Sequence, residues 1–161
     1  MSIRVLGLGN DLLADDRVGL EAASALAARF GDRIETVCSS TSGFDLLDDV
    51  AGASRLLVLD SLATGTAPPG TMFEVGEDDV PALPGGSPHY VGLFEALRLG
   101  RKLGLAVPCE VVILGVEAGD VLTVGGPMSD AVAGAIEPLL ARASAIVSGW
   151  LAAEAAAPAG A

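Results

Sequence analysis

Apolar residues along this chain fall into two alternating rhythms. Short runs rich in apolar and β-branched residues, Ile3–Leu8, Ile34–Cys38, Leu56–Asp60, Thr71–Val75 and Glu110–Val116, read as strands. The nearly unbroken apolarity of Leu56–Asp60 marks a central strand covered on both faces. Between the runs, apolar positions recur every three or four residues. Val18, Ala22, Leu26 and Phe30 predict a helix over 16–30, and Phe44–Val50 a short one after the Ser39–Gly43 turn cluster. Tyr90, Leu93, Phe94 and Leu97 share one face of a helix that Ser87 would cap, Pro88 open and Gly104 stop. The last helix starts near Ser129 and turns Val132, Ile136, Leu139, Leu140, Ala143, Val147 and Trp150 inward. A bend is expected at Pro138, which has no N–H to return to Gly134. The alternation predicts a single three-layer α/β domain over residues 1–153, a twisted, mostly parallel five-stranded sheet with helices on both faces. Residues 154–161, small and featureless, are expected to form a flexible C-terminal tail.

Composition narrows the class. With 51% apolar residues and a mean hydropathy of +0.56, the chain has ample material for one core and none of the polarity of a disordered segment. Its longest apolar runs, such as Val111–Val116, are far short of the ~20 residues of a membrane span, so no membrane partner is expected. Met1-Ser2-Ile3-Arg4 leads straight into the first strand without the pattern of a signal peptide, which makes the cytoplasm the expected location. A net charge of −12 excludes a nucleic acid as partner, since such binding needs Lys and Arg on phosphates. Cys38 and Cys109 form neither a C-x-x-C pair nor a disulfide framework, and each is expected as a small buried hydrophobe in a reducing compartment. For Cys38 the functional alternative is a soft contact near a metal.

In an open α/β sheet, ligands bind beyond the carboxyl ends of the strands. Asn10, Asp11, Asp15 and Asp16 follow the first strand, Cys38 to Thr41 the second, Asp60 and Ser61 close the third, and His89 opens a helix after the fourth. His89 is the chain's one histidine, and the positive end of a helix dipole would keep its ring neutral and fit to coordinate a metal. A surface histidine in a loop is the plainer alternative. Asp60 ends an apolar strand, where a carboxylate calls for a cation or for hydrogen-bond donors. Asp15 and Asp16 stand where a helix begins, so either is also a natural N-cap; Asp15 is expected to cap and Asp16 to project. One histidine with two carboxylates suits a first-row divalent ion such as nickel or zinc with open positions.

Familiar motifs fail. Gly7-x-Gly9 lacks the third glycine of a dinucleotide fingerprint, no P-loop Gly-Lys-Ser/Thr follows, and no Gly-x-Ser-x-Gly elbow occurs. A nucleotide-binding reading would rest on Gly7-x-Gly9 alone. What does match is longer. Gly7-Leu8-Gly9-Asn10-Asp11-Leu12-Leu13-Ala14-Asp15-Asp16-Arg17-Val18-Gly19 resembles the opening of the hydrogenase maturation endopeptidases. The resemblance continues at Leu57–Asp60, Pro69-Gly70-Thr71, Ser87-Pro88-His89 with Gly92-Leu93, and Leu114-Gly115-Val116, in order and across nearly the whole chain.

That resemblance implies an endopeptidase that removes a C-terminal extension from the large subunit of a nickel–iron hydrogenase after nickel insertion. It places the family's nickel-contacting acid on Asp16, its strand-end aspartate on Asp60 and its histidine on His89, with the nickel supplied by the substrate. The implied fold is a twisted five-stranded sheet between helices. Two departures stand out. Cys38-Ser39-Ser40-Thr41 occupies the place of the family's D-G-G-T, leaving Cys38 and Thr41 as candidate substrate-loop residues, and Arg17 replaces a small residue beside the acidic pair. Those departures motivate an alternative: a non-proteolytic nickel-binding or docking factor on the same fold.

Overall fold

The computed structural model describes residues 2–76 and 88–157, with residues 88–91 described as helical backbone alone. Nine elements follow in chain order: β1 (Ile3–Leu8), α1 (Val18–Phe30), β2 (Glu35–Ser39), α2 (Leu46–Val50), β3 (Arg55–Leu62), β4 (Met72–Gly76), α3 (Pro88–Lys102), β5 (Glu110–Glu117) and α4 (Asp130–Ala156). The sheet runs β2-β1-β3-β5-β4. Its first four strands in that order are parallel, and β4 closes the edge antiparallel to β5.

Strand alternation divides the core in two. Val5, Leu57, Leu59, Leu114 and Val116 face α1 and α4, whereas Leu6, Leu8, Leu56, Val58 and Ile113 face α2 and α3. The helical period does the rest: Val18, Ala22, Leu26 and Phe30 of α1 and Leu93, Phe94 and Leu97 of α3 are all buried. The three-layer α/β domain is the one the hydrophobic pattern predicts.

Several local expectations change. A single 3-10 turn, Asp15–Arg17, precedes α1, and another, Gly43–Asp45, precedes α2. In α4 the buried face includes Ala135 and Ser144, while Ile136 and Leu140 are only partly covered. Pro138 lies within α4, which continues past it as one helix of 27 residues. Residues 154–156, expected in the tail, are helical: alanine and glutamate propagate a helix once the preceding turns are fixed by packing. Length and composition alone would let α4 cross a membrane, but its Val132, Leu139, Val147 and Trp150 side chains are buried on the sheet. The expected Ser87 cap lies outside the described residues, while Pro88 opens α3 as expected.

Cys38 and Cys109 are both exposed, contrary to expectation. Cys38 sits on β2, an edge strand with no fully buried residue. Cys109 precedes β5 and is tied at the surface, its thiol donating to Ser54 O at 3.3 Å.

Strand order reverses at β1. The chain moves outward from β1 to β2, then returns to place β3 on the other side. Such a switch point leaves a crevice beyond the carboxyl ends of the two strands. Here those strands are β1, followed by Asp16, and β3, which carries Asp60.

Candidate active site

At the switch point lies a cleft of about 270 Å3 lined by Leu8, Gly9, Asn10, Leu13, Asp16, Ser40, Thr41, Asp60 and Ser61. Two glycines shape it. Gly9 turns the chain at φ 145°, and a Cβ there would fall 1.9 Å from Asp16 O, so only glycine lets the loop after β1 fold over the 3-10 turn. At Gly19, in the first turn of α1, a Cβ would meet Leu59 O at 2.3 Å and Leu8 O at 2.6 Å. Its absence lets the helix start directly on the ends of β1 and β3, carrying Asp16 into the crevice.

Both oxygens of Asp16 are oriented. Asn10 N–H donates to Oδ2 at 3.0 Å, and the Ser61 hydroxyl donates to Oδ1 at 2.5 Å. Ser61 also reaches the second carboxylate, its backbone N–H donating to Asp60 Oδ1 at 2.8 Å. Asp60 is 6% exposed, although β3 runs two residues beyond it to Leu62. One residue thus couples both aspartates: its hydroxyl sets Asp16 and its amide sets Asp60. Each Asp16 oxygen accepts one hydrogen bond from the described residues and has two lone-pair sites, so it keeps acceptor capacity toward the cleft.

Asp15 caps nothing on its own helix; no side-chain bond caps the 3-10 turn or α1. It is fully buried and clamps a distant loop. Gly119 N–H, Asp120 N–H and the Ser129 hydroxyl donate to Oδ2 at 2.8, 2.7 and 2.9 Å, and Ser129 N–H donates to Oδ1 at 2.7 Å. Burial pushes the carboxyl up, but the donated bonds outweigh it and hold Asp15 below the ordinary aspartate value. Within the same loop Asp120 Oδ1 accepts from Leu122 and Thr123 N–H at 3.0 and 2.9 Å. Thr123, through its side chain and then its amide, helps hold that carboxyl low too.

Arg17, the departure beside the acidic pair, is absent from the cleft lining. Its Nη2 donates to Gly126 O at 2.6 Å, and its Nε lies 3.6 Å from Glu21, so the cation braces the 118–129 loop. Thr41 does line the cleft, with its hydroxyl donating to Asp49 Oδ2 at 3.0 Å and 2.8 Å from the Ser39 hydroxyl. Cys38 does not; it lines an adjoining crevice with Gly9, Asn10, Asp11, Leu20, Ser39 and Ser40. The His89 side chain lies outside the described residues. Among the described residues no three histidines, cysteines or acids stand together as a metal set.

Sequence reasoning named Ser61 as a strand-end residue but gave it no role. It missed Glu117, buried at the end of β5, whose carboxylate accepts from Gly65 N–H and the Thr64 hydroxyl, both at 2.8 Å. The signal was available: Glu117 follows an apolar run in the sequence just as Asp60 does.

The chain is thus a three-layer α/β domain with two aspartates coupled through Ser61 at its switch point. Comparison with known proteins goes further. The family model for hydrogenase maturation proteases (HycI) matches residues 21–146. The Hydrogenase 2 maturation protease of Escherichia coli is 36% identical over 120 residues, 72% of this chain and 73% of that relative. Hydrogenase expression/formation protein HupM of Azotobacter chroococcum is 34% identical over 152 residues, 91% and 72% respectively. The structure of the hydrogenase maturating endopeptidase HybD from E. coli superposes with a TM-score of 0.78 at 31% identity, covering 92% of this chain and 93% of that one. The chain belongs to the hydrogenase maturation protease family, and these protease relatives favour the enzymatic reading over the docking-factor alternative.

Proposed function

We propose that this protease removes a C-terminal extension from the large subunit of a nickel–iron hydrogenase, after nickel has been inserted. The observation that carries the reading is the coupling of Asp16 and Asp60 through Ser61. Two carboxylates oriented by one residue can hold a fixed separation while a substrate enters between them.

In this reading the nickel arrives as part of the substrate, and Asp16, Asp60 and His89 complete its ligand sphere. Oxygen and imidazole donors suit such an ion. Their contribution is positional: gripping the metal centre fixes the precursor so that its scissile peptide lies in the cleft. One carboxylate then serves as general base toward the attacking water, an aspartic-type hydrolysis in which Asp16 and Asp60 are the two candidates. Thr41, in the cleft wall, and Cys38, in the adjoining crevice, belong to the loop that meets the flanking substrate. The reaction takes place in the cytoplasm.

The test is incubation of nickel-loaded precursor with wild type, Asp16→Asn, Asp60→Asn and His89→Ala. Loss of cleavage by about 100-fold or more in each is expected, the scale of a removed acid–base group. Full activity in all three would remove the proposal.

A further inference from the structure

Beside the cleft, two loops are joined by backbone. Leu13 and Val124 oppose each other in an antiparallel bridge. Ala14 N–H donates to Thr123 O at 3.0 Å and Gly125 N–H to Leu12 O at 2.8 Å. Leu13 lines the cleft with Asp16, Asp60 and Ser61. Directly opposed residues of an antiparallel pair point to the same face, so Val124 continues the cleft wall outward. That continuation is apolar and exposed: Val124 is 71% exposed and Leu122 86%.

Scattered exposed aliphatic residues are ordinary. Leu122 and Val124 lie on a firmly held rim, and Val124 is paired directly to the cleft residue Leu13. Asp15 clamps the loop at Gly119, Asp120 and Ser129, Arg17 holds Gly126, and Asp120 fixes the turn at Leu122 and Thr123. The apolar side chains are therefore presented to solvent by a fixed backbone and do not fold under it. A binding surface built in advance loses little conformational freedom on association.

We propose that the Leu122–Val124 rim docks an apolar segment of the precursor next to its scissile peptide. The inference rests on the endopeptidase reading and adds where the protein substrate is gripped. The occupant follows from position: a chain whose peptide bond lies at Asp16 and Asp60 leaves the cleft over its wall, and on this side the wall is Leu13, with Val124 directly opposite it in the bridge.

The experiment is steady-state cleavage of the nickel-loaded precursor by wild type, by Leu122→Ser/Val124→Ser, by Leu122→Met/Val124→Ile, and by Leu103→Ser. Leu103 follows α3 at the opposite end of the sheet and is also exposed, so it serves as the control. The serine pair is expected to raise KM about tenfold with kcat within twofold and the melting temperature unchanged, as for truncated contact residues that touch no reacting atom. The Met/Ile pair and Leu103→Ser are expected to match wild type. A serine-pair KM within twofold of wild type overturns the docking proposal while leaving the endopeptidase reading intact. A wild-type protein that leaves the precursor uncut overturns both. Sedimentation showing a wild-type dimer that the serine pair dissolves would assign the rim to a second copy of this chain and also overturn it.

Discussion

Removing the Asp15 carboxylate should loosen a loop whose anchor points lie more than a hundred residues further along the chain. In Asp15→Ala, the amides of Gly119, Asp120 and Ser129 and the Ser129 hydroxyl lose their acceptor together. Each buried donor left unsatisfied costs about 1–3 kcal/mol. Water can enter part of this surface loop, so the four losses should total about 3–5 kcal/mol. In a domain of this size, 1 kcal/mol corresponds to roughly 2–4 °C, and the midpoint should fall by about 10 °C. Asp15→Asn should rescue little, because its amide keeps one acceptor oxygen and turns N–H groups toward other donors. The folded carboxyl titrates below its unfolded value, so its stabilisation is present above the ordinary aspartate value of about 3.9 and lost as pH falls through the lowered folded value. The gap between wild type and Asp15→Ala should therefore hold from neutral pH down to about 4 and close below that. Thermal melts by circular dichroism across that range decide it. A neutral-pH midpoint within about 2 °C of wild type, or a gap that widens in acid, would refute the reasoning.

Two further predictions concern the shaping of the site. Ser61→Ala keeps the backbone bond to Asp60 but removes the hydroxyl on Asp16; kcat for precursor cleavage should fall by about tenfold with stability changed by about 1 kcal/mol, checked by kinetics and urea melts. Gly19→Val should cost about 3 kcal/mol or more, because its side chain would meet the carbonyls of Leu59 and Leu8, backbone that cannot step aside; urea denaturation measures the loss.

Much of the fold was legible because its signals are local. The Leu56–Asp60 run marked a central strand, and the four-residue spacing from Val18 to Phe30 marked the buried face of α1. The burial of Asp60 was legible for the same reason, from the apolar run before it, although β3 continues to Leu62. What failed depends on distant partners. Cys38 looked buried because local pattern does not show that β2 is an edge strand. Asp15 looked like an N-cap because two adjacent acids before a helix satisfy that rule, whereas its donors come from residues 119–129. Arg17 stood out as a departure beside the acidic pair, yet its partner Gly126 lies 109 residues along the chain. The 118–129 loop itself, glycine-rich and without period, offered no pattern to read.

The account turns on whether this chain cuts a hydrogenase large subunit. Intact-mass spectrometry of the nickel-loaded subunit, produced with and without this protein, measures that directly. The predicted result is loss of a C-terminal peptide only when the protein is present, and its retention with Asp16→Asn. An unchanged mass in the presence of folded wild-type protein would contradict the account.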